Sequence, residues 1–230
     1  EEGLSPSAFN EYLESPPTFF ARRVLRLHEP EAPATVIGTA VHAGIAEYLN
    51  TKSEDKAYAA LNRCLKYSLL PRNAAYDRVV EHATSSLKSY LASPHKEGET
   101  TAVERAYSVK RIVEGKEILL YGKVDAVFKN SAGECIVDFK TSSDVHIKDD
   151  KHARQLAFYD LLLKENGHTL TGAAIVQVGP EIVKEFPVPL TDETRTELQT
   201  TLDEVIGELL SGQWRKGEAS EYDDLLALFT

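Results

Sequence analysis

The chain has 230 residues, with 36 acidic against 26 basic side chains and a formal charge of −10. That balance excludes a protein that coats nucleic acid through a uniformly basic surface. The length suits one large unit able to bury a sizeable core. No run approaches a membrane span in apolar length and no signal peptide heads the chain. Two cysteines give no disulfide framework and fit a reducing, cytoplasmic setting. A chain that opens on Glu1 and contains no methionine reads as a segment of a longer protein.

In chain order, Ser5-Pro6 and Ser15-Pro16 are helix starts. The second helix runs through Phe19, Phe20, Val24 and Leu27, with arginines on its other side. A proline-rich linker from Glu29 to Pro33 leads to a helix over residues 36 to 50, whose Val41, Ile45 and Leu49 form a core face. Gly38 and His42 share a face of it, and Gly38 allows another element to approach closely. Two further helices over 54 to 69 and 73 to 92, split by Pro71, read as a helical insertion. From Thr101 the pattern alternates, predicting a three-stranded meander over 101 to 112, 117 to 128 and 134 to 141. A helix over 150 to 166 ends near Asn166-Gly167. Strands over 171 to 178 and 181 to 188 follow, and Thr191 caps a last helix to Ser211, with Gly212 after it. Trp214 reads as packing. The expected class is α/β, with a core of helix, three-stranded meander, helix and strand. The expected division is N-terminal helices over 1 to 35, a core over 36 to 190, and a C-terminal helix and tail over 191 to 230.

The most informative stretch is Ile136-Val137-Asp138-Phe139-Lys140-Thr141. Side chains alternate along a strand, so Asp138 and Lys140 point the same way at the end of an apolar approach. The segment Lys129 to Gly133 is turn chemistry, which pairs this strand with Leu119 to Phe128 and brings Asp125 towards Asp138. Two carboxylates on neighbouring strands make a hard oxygen site suited to magnesium or manganese. Taken alone, an Asp-x-Lys pair is also an ordinary surface ion pair; the buried approach and the matching Asp125 favour a site. Cys64 and Cys135 read as buried apolar fillers.

These residues form part of a longer series. Leu4 to Pro16, Ile37-Gly38-Thr39-Ala40-Val41-His42, Tyr121-Gly122-Lys123-Val124-Asp125, Ile136 to Thr141 and Gln155-Leu156-Ala157-Phe158-Tyr159 together resemble a RecB-family exonuclease domain of the PD-(D/E)XK nuclease superfamily. The similarity covers most of residues 4 to 180. It implies a restriction-endonuclease-like fold and a metal held by His42, Asp125, Asp138 and the backbone carbonyl of Phe139. The imidazole is a ligand more at home with manganese than with magnesium. It implies that Lys140 contacts the attacking water and the scissile phosphate, while Gln155 and Tyr159 support the site or the DNA backbone. Glu104 and Glu47 are weaker candidates for an outer metal shell. One departure stands out: Ser15 occupies the place of the first of four cluster cysteines in many relatives, so no iron–sulfur cluster is expected.

The function implied is magnesium- or manganese-dependent hydrolysis of DNA at single strands or ends, by the exonuclease module of a helicase–nuclease in DNA repair or recombination. No phosphate loop of the Gly-x-x-x-x-Gly-Lys-Ser/Thr type is present, so any helicase lies on another segment or chain. The rivals are an inactive nucleic-acid-binding or scaffolding domain of the same fold, and a CRISPR-adaptation nuclease, which the missing cysteines disfavour. Arg22, Arg23 and Arg26 cluster before the His motif, and Lys140, Lys148, Lys151 and Arg154 surround the expected site. The acidic carboxyl part, from Asp192 to Asp224, is expected to face away.

Overall fold

The computed structural model describes residues 3–27, 29–141, 150–215, 217, 220 and 222–223. Lys148 and the tail acids Glu218, Glu221 and Asp224 therefore lie outside the described residues. Local chemistry sets most helix ends. Helix α1 (Pro6–Glu14) begins where the Ser5 hydroxyl accepts the Ala8 N–H, and α2 (Pro16–Phe19) where Ser15 accepts that of Thr18. Helix α3 (Pro33–Thr51) has its proline in the first turn; Ser53 caps α4 (Glu54–Tyr67) and Asn73 caps α5 (Ala74–Ala92).

The second helix departs from expectation. It widens after Phe19 into a π turn over Phe20–Val24 and does not reach Leu27. The wider turn lets the consecutive Phe19 and Phe20 both meet Trp214, at ring separations of 5.9 and 5.3 Å. Val24 and Leu27 end up exposed rather than core-facing. Trp214 also packs edge-on against Tyr12, which is the packing role expected for it.

The sheet contains β1 (Gly3–Leu4), β2 (Glu99–Val113), β3 (Lys116–Asn130), β4 (Gly133–Lys140), β5 (Leu170–Val178) and β6 (Val183–Val188). Antiparallel β2, β3 and β4 form the expected meander. Helix α6 (Asp150–Glu165) then carries the chain to β5, which lies parallel to β4, and β6 pairs antiparallel at the far edge. The short β1, a strand that the alternation pattern does not reveal, pairs in parallel with Leu119 and Leu120 of β3. One edge of β3 is thus shared: β1 ends at Leu120, and β4 joins only at Ala126, opposite Val137. Between them, residues 121–124 have a strand partner only on the β2 side, and Asp125 lies between the paired Val124 and Ala126. The sheet is split there.

Two cores cover the faces. Helices α1, α6 and α7 (Asp192–Ser211) close one with Tyr12, Phe158, Leu162 and Leu202; α3, α4 and α5 close the other with Val41, Ile45, Leu61 and Leu87. Each such leucine contributes about 2 kcal/mol through burial. Val41, Ile45 and Leu49 are buried as the helical spacing requires. Strand parity slips beside the split: Ala102 and Tyr107 are five apart, Val124 and Val127 three apart, yet all four face the same core. Between the first pair lies Glu104, whose φ of 48° breaks the alternation. Cys64 and Cys135 are half-buried rather than fully interior. Acids of α7 are held by arginines, Asp203 by Arg111 and Glu208 by Arg215.

Candidate active site

The split in the sheet gathers side chains from α3, β2, β3 and β4. His42 lies one helical turn beyond Gly38, and its Nδ1 is 3.5 Å from Asp125 Oδ2. A Cβ at Gly38 would lie 3.4 Å from the Thr141 hydroxyl, so the helix meets the end of the Asp-x-Lys strand there. Val103 pairs with Ala126 and Arg105 with Val124, which brackets Glu104 opposite Asp125. One ligand atom from each of His42, Glu104 and Asp125 lies within 4.8 Å of the others. Glu104 also pairs with Lys123 on the neighbouring strand.

Asp125 does a second job. Because β4 leaves β3 after Val137, the Phe139 N–H loses its place in that ladder, and Asp125 Oδ2 accepts it at 2.8 Å. On the other side, Lys140 Nζ lies 2.8 Å from Asp138 Oδ2 and donates to Gln155 Oε1 at 3.2 Å. The Gln155 amide in turn donates to Asp138 Oδ1 at 3.1 Å. Tyr159, one turn further along α6, shares a hydrogen bond with Gln155. Its ring lies directly on β3, because a Cβ at Gly122 would come within 2.8 Å of it.

The electrostatics separate the two aspartates. Burial raises Asp125, but the His42 charge and hydrogen bond, the Phe139 N–H and Lys140 outweigh it and hold the carboxyl below the usual range. Asp138 is buried more completely, and with the charge of Asp125 added it is pushed up to about 6 against the pull of Lys140 and His42. His42 is lowered by burial but raised further by Asp125 and then Asp138, so it holds its proton more tightly than a free histidine. A buried pair of acids with one imidazole, facing each other across a gap, is a donor set that fits a divalent cation.

Of the residues expected to hold the metal or support the site, His42, Glu104, Asp125, Asp138, Phe139, Lys140, Gln155 and Tyr159 lie together here, and Glu47 does not join the ligand group. The group that lies within mutual ligand distance differs from the expected one: Glu104 is in it, and Asp138 is engaged by Lys140 and Gln155 instead. The signal for Glu104 was available. The two-residue turn Glu114-Gly115, with φ of 50° and 76°, sets the register of β2 on β3 and so places residue 104 opposite residue 125. Of the cations expected around the site, Lys151 is paired with Glu14 and Arg154 donates to Asn10, while Arg22 and Arg23, which precede the His motif, are both paired with Glu11.

Residues 3–221 match the model of the PD-(D/E)XK nuclease superfamily, and the chain belongs to that superfamily. No protein of curated function matches significantly. Among solved structures, a "Putative exonuclease" from Eubacterium rectale aligns over 96% of this chain and 86% of its own, at 13% identity and a TM-score of 0.64. At that identity the likeness concerns the fold, which is the restriction-endonuclease-like one. The structure of SSO0001 aligns over 85% of this chain and 84% of its own, at 18% identity and a TM-score of 0.37, too low to carry an argument. Among the described residues no helix is long and apolar enough to cross a membrane.

Proposed function

We propose that this chain is a magnesium- or manganese-dependent deoxyribonuclease that works from single-stranded or free DNA ends. The observation that carries the reading is the placement of Lys140, held by both Asp138 and Gln155, beside the group formed by His42, Glu104 and Asp125. His42, Asp125, Asp138 and the Phe139 carbonyl would hold the ion, with Glu104 as a further ligand. When bound, it would lower the pKa of a coordinated water and neutralise charge on the phosphate.

The chain's own groups supply the rest. Asp125 is ionised at neutral pH, and the Phe139 N–H and His42 orient it. Asp138, a further residue that would hold the ion, lies 2.8 Å from Lys140 Nζ and so sets the ammonium beside the site. Lys140 then donates to the attacking water and to the non-bridging phosphate oxygen, stabilising the charge that develops as the P–O bond to the leaving group breaks. Gln155 bonds both Lys140 and Asp138 and holds the two together. Tyr159 positions Gln155.

The resemblance to RecB-family domains supports a place beside a helicase, in repair or recombination, with the strand delivered by a motor. Free Cys64 and Cys135 support action in a reducing compartment such as the cytoplasm. The test is incubation with end-labelled single- and double-stranded DNA, and with RNA, with and without manganese or magnesium. Metal-dependent release of short products from DNA ends is expected. Equal inertness with and without metal would point to the inactive nucleic-acid-binding domain instead.

A further inference from the structure

The split in the sheet continues beyond the candidate metal site as an open groove of about 390 Å3, whose walls include Ser7, Arg23, Tyr121, Gly122, Lys123 and Tyr159. Two of its walls touch the site directly. Tyr159 shares a hydrogen bond with Gln155, which holds Asp138, and Lys123 pairs with Glu104. The groove therefore lies along residues 121–123 of β3, in the stretch that neither β1 nor β4 covers, and is joined to the site through Tyr159 and Lys123. Tyr121 is unusual in it. It is a large aromatic that remains 43% exposed, and its ring is fixed against β1, where a Cβ on Gly3 would come within 2.9 Å of it.

We propose that this groove binds a single-stranded nucleic-acid segment on its way to the metal site, with one base stacked on Tyr121 and phosphates held by Arg23 and Lys123. The proposal rests on the nuclease reading only for the direction of travel. Stacking on an exposed ring fixed by its neighbours is the recurrent way in which proteins hold unpaired bases without reading sequence. A duplex cannot use such a ring, because its bases are already stacked inside the helix. Arg23 is shared with Glu11, and Lys123 with Glu104, so the groove offers moderate rather than strong attraction to phosphate. That suits a strand that must slide through, and it locates the local basic contact that a chain of net charge −10 requires.

The test is fluorescence anisotropy of a labelled oligothymidylate, titrated in EDTA so that no cleavage intervenes, with a hairpin duplex of equal length as comparison. Tyr121→Ala should weaken oligothymidylate binding about tenfold, equivalent to about 1.4 kcal/mol, and Tyr121→Phe should retain it within about twofold. Tyr121→Trp should bind, and its emission should be quenched on mixing, a signature of stacking that a structural role would not produce. Should Tyr121→Ala loosen β1, as its melting curve would reveal, the Trp quench decides alone. Unquenched emission, equal binding by Tyr121→Ala in a folded protein, no binding of the single strand, or tighter binding of the hairpin each overturns the proposal. If quenching is seen but wild type never cleaves with manganese, the groove stands and the nuclease reading falls. Cleavage with no effect at Tyr121 gives the reverse.

Discussion

Asp138→Asn is expected to make the metal-free protein more stable while removing its activity. In the folded protein burial, aided by Asp125, moves Asp138 from an ordinary 3.8 to about 6. A difference of that size corresponds to roughly 3 kcal/mol. The sign follows from linkage: the folded state binds this proton more tightly than the unfolded state. The contribution is fully present below pH 3.8 and is lost as pH rises through 6, so the ionised carboxylate costs the fold roughly 3 kcal/mol at pH 8. Asparagine keeps an oxygen for the Gln155 amide but turns an amide N–H towards Lys140, at a cost of about 1 kcal/mol. The net gain is about 2 kcal/mol, and for a chain of this size that is roughly 4–8 °C in melting temperature. Thermal melts of both proteins in EDTA would show the gap at pH 8 and its narrowing at pH 5. An Asn variant that melts below wild type at pH 8 would refute the reasoning, because Asp138 would then be a stabilising ion pair rather than a strained site.

Manganese should raise the melting temperature of wild type, since the folded chain assembles ligands that the unfolded chain disperses. Protons compete at His42, whose pKa is raised, so that gain should shrink on acidification; Glu104→Gln should blunt it and Glu47→Gln should not. Gly122→Ala should displace the Tyr159 ring, lowering cleavage by about tenfold or more while manganese still raises the melting temperature; an unchanged rate would mean that Tyr159 does not position Gln155. Binding of the isolated chain to single-stranded DNA should be weak and fall steeply with salt, as measured by anisotropy between 50 and 200 mM salt, on the order of the range in which phosphate contacts are lost. Tight salt-insensitive binding to closed duplex circles would instead mark a self-sufficient endonuclease.

Much of this was legible because the site is built from strand ends and helix turns that short-range chemistry defines. Asp138 and Lys140 share a face by alternation alone, whereas helical spacing gives only the apolar face of α3 and it is the resemblance of the Gly-x-x-x-His segment that singles out His42. Helical spacing puts Gln155 and Tyr159 on one face of α6, and the resemblance singles them out. What the sequence hid depends on where strands part company. Residues 121–125 look like continuous strand, yet β4 peels away at Val137, and only then does Asp125 capture the Phe139 N–H. The slip of parity at Glu104 is a backbone choice of a non-glycine residue, which alternation cannot reveal. Strand β1 has two residues, too short for any periodicity. The π turn after Phe19 exists to seat two phenylalanines on Trp214, a contact nearly two hundred residues away in the chain. Likewise Arg22 and Arg23 look like free cations until Glu11 of the preceding helix folds against them.

The most direct test is to measure cleavage and metal binding on the same preparation of Lys140→Ala. Lys140 faces Asp138 and Gln155 and is not a ligand in this account, so manganese affinity by calorimetry should stay within severalfold of wild type. Single-turnover cleavage of an end-labelled oligonucleotide should fall by at least about a hundredfold, the usual scale for losing a positioned group at the reacting centre. Cleavage by Lys140→Ala at the wild-type rate would contradict the account at its centre.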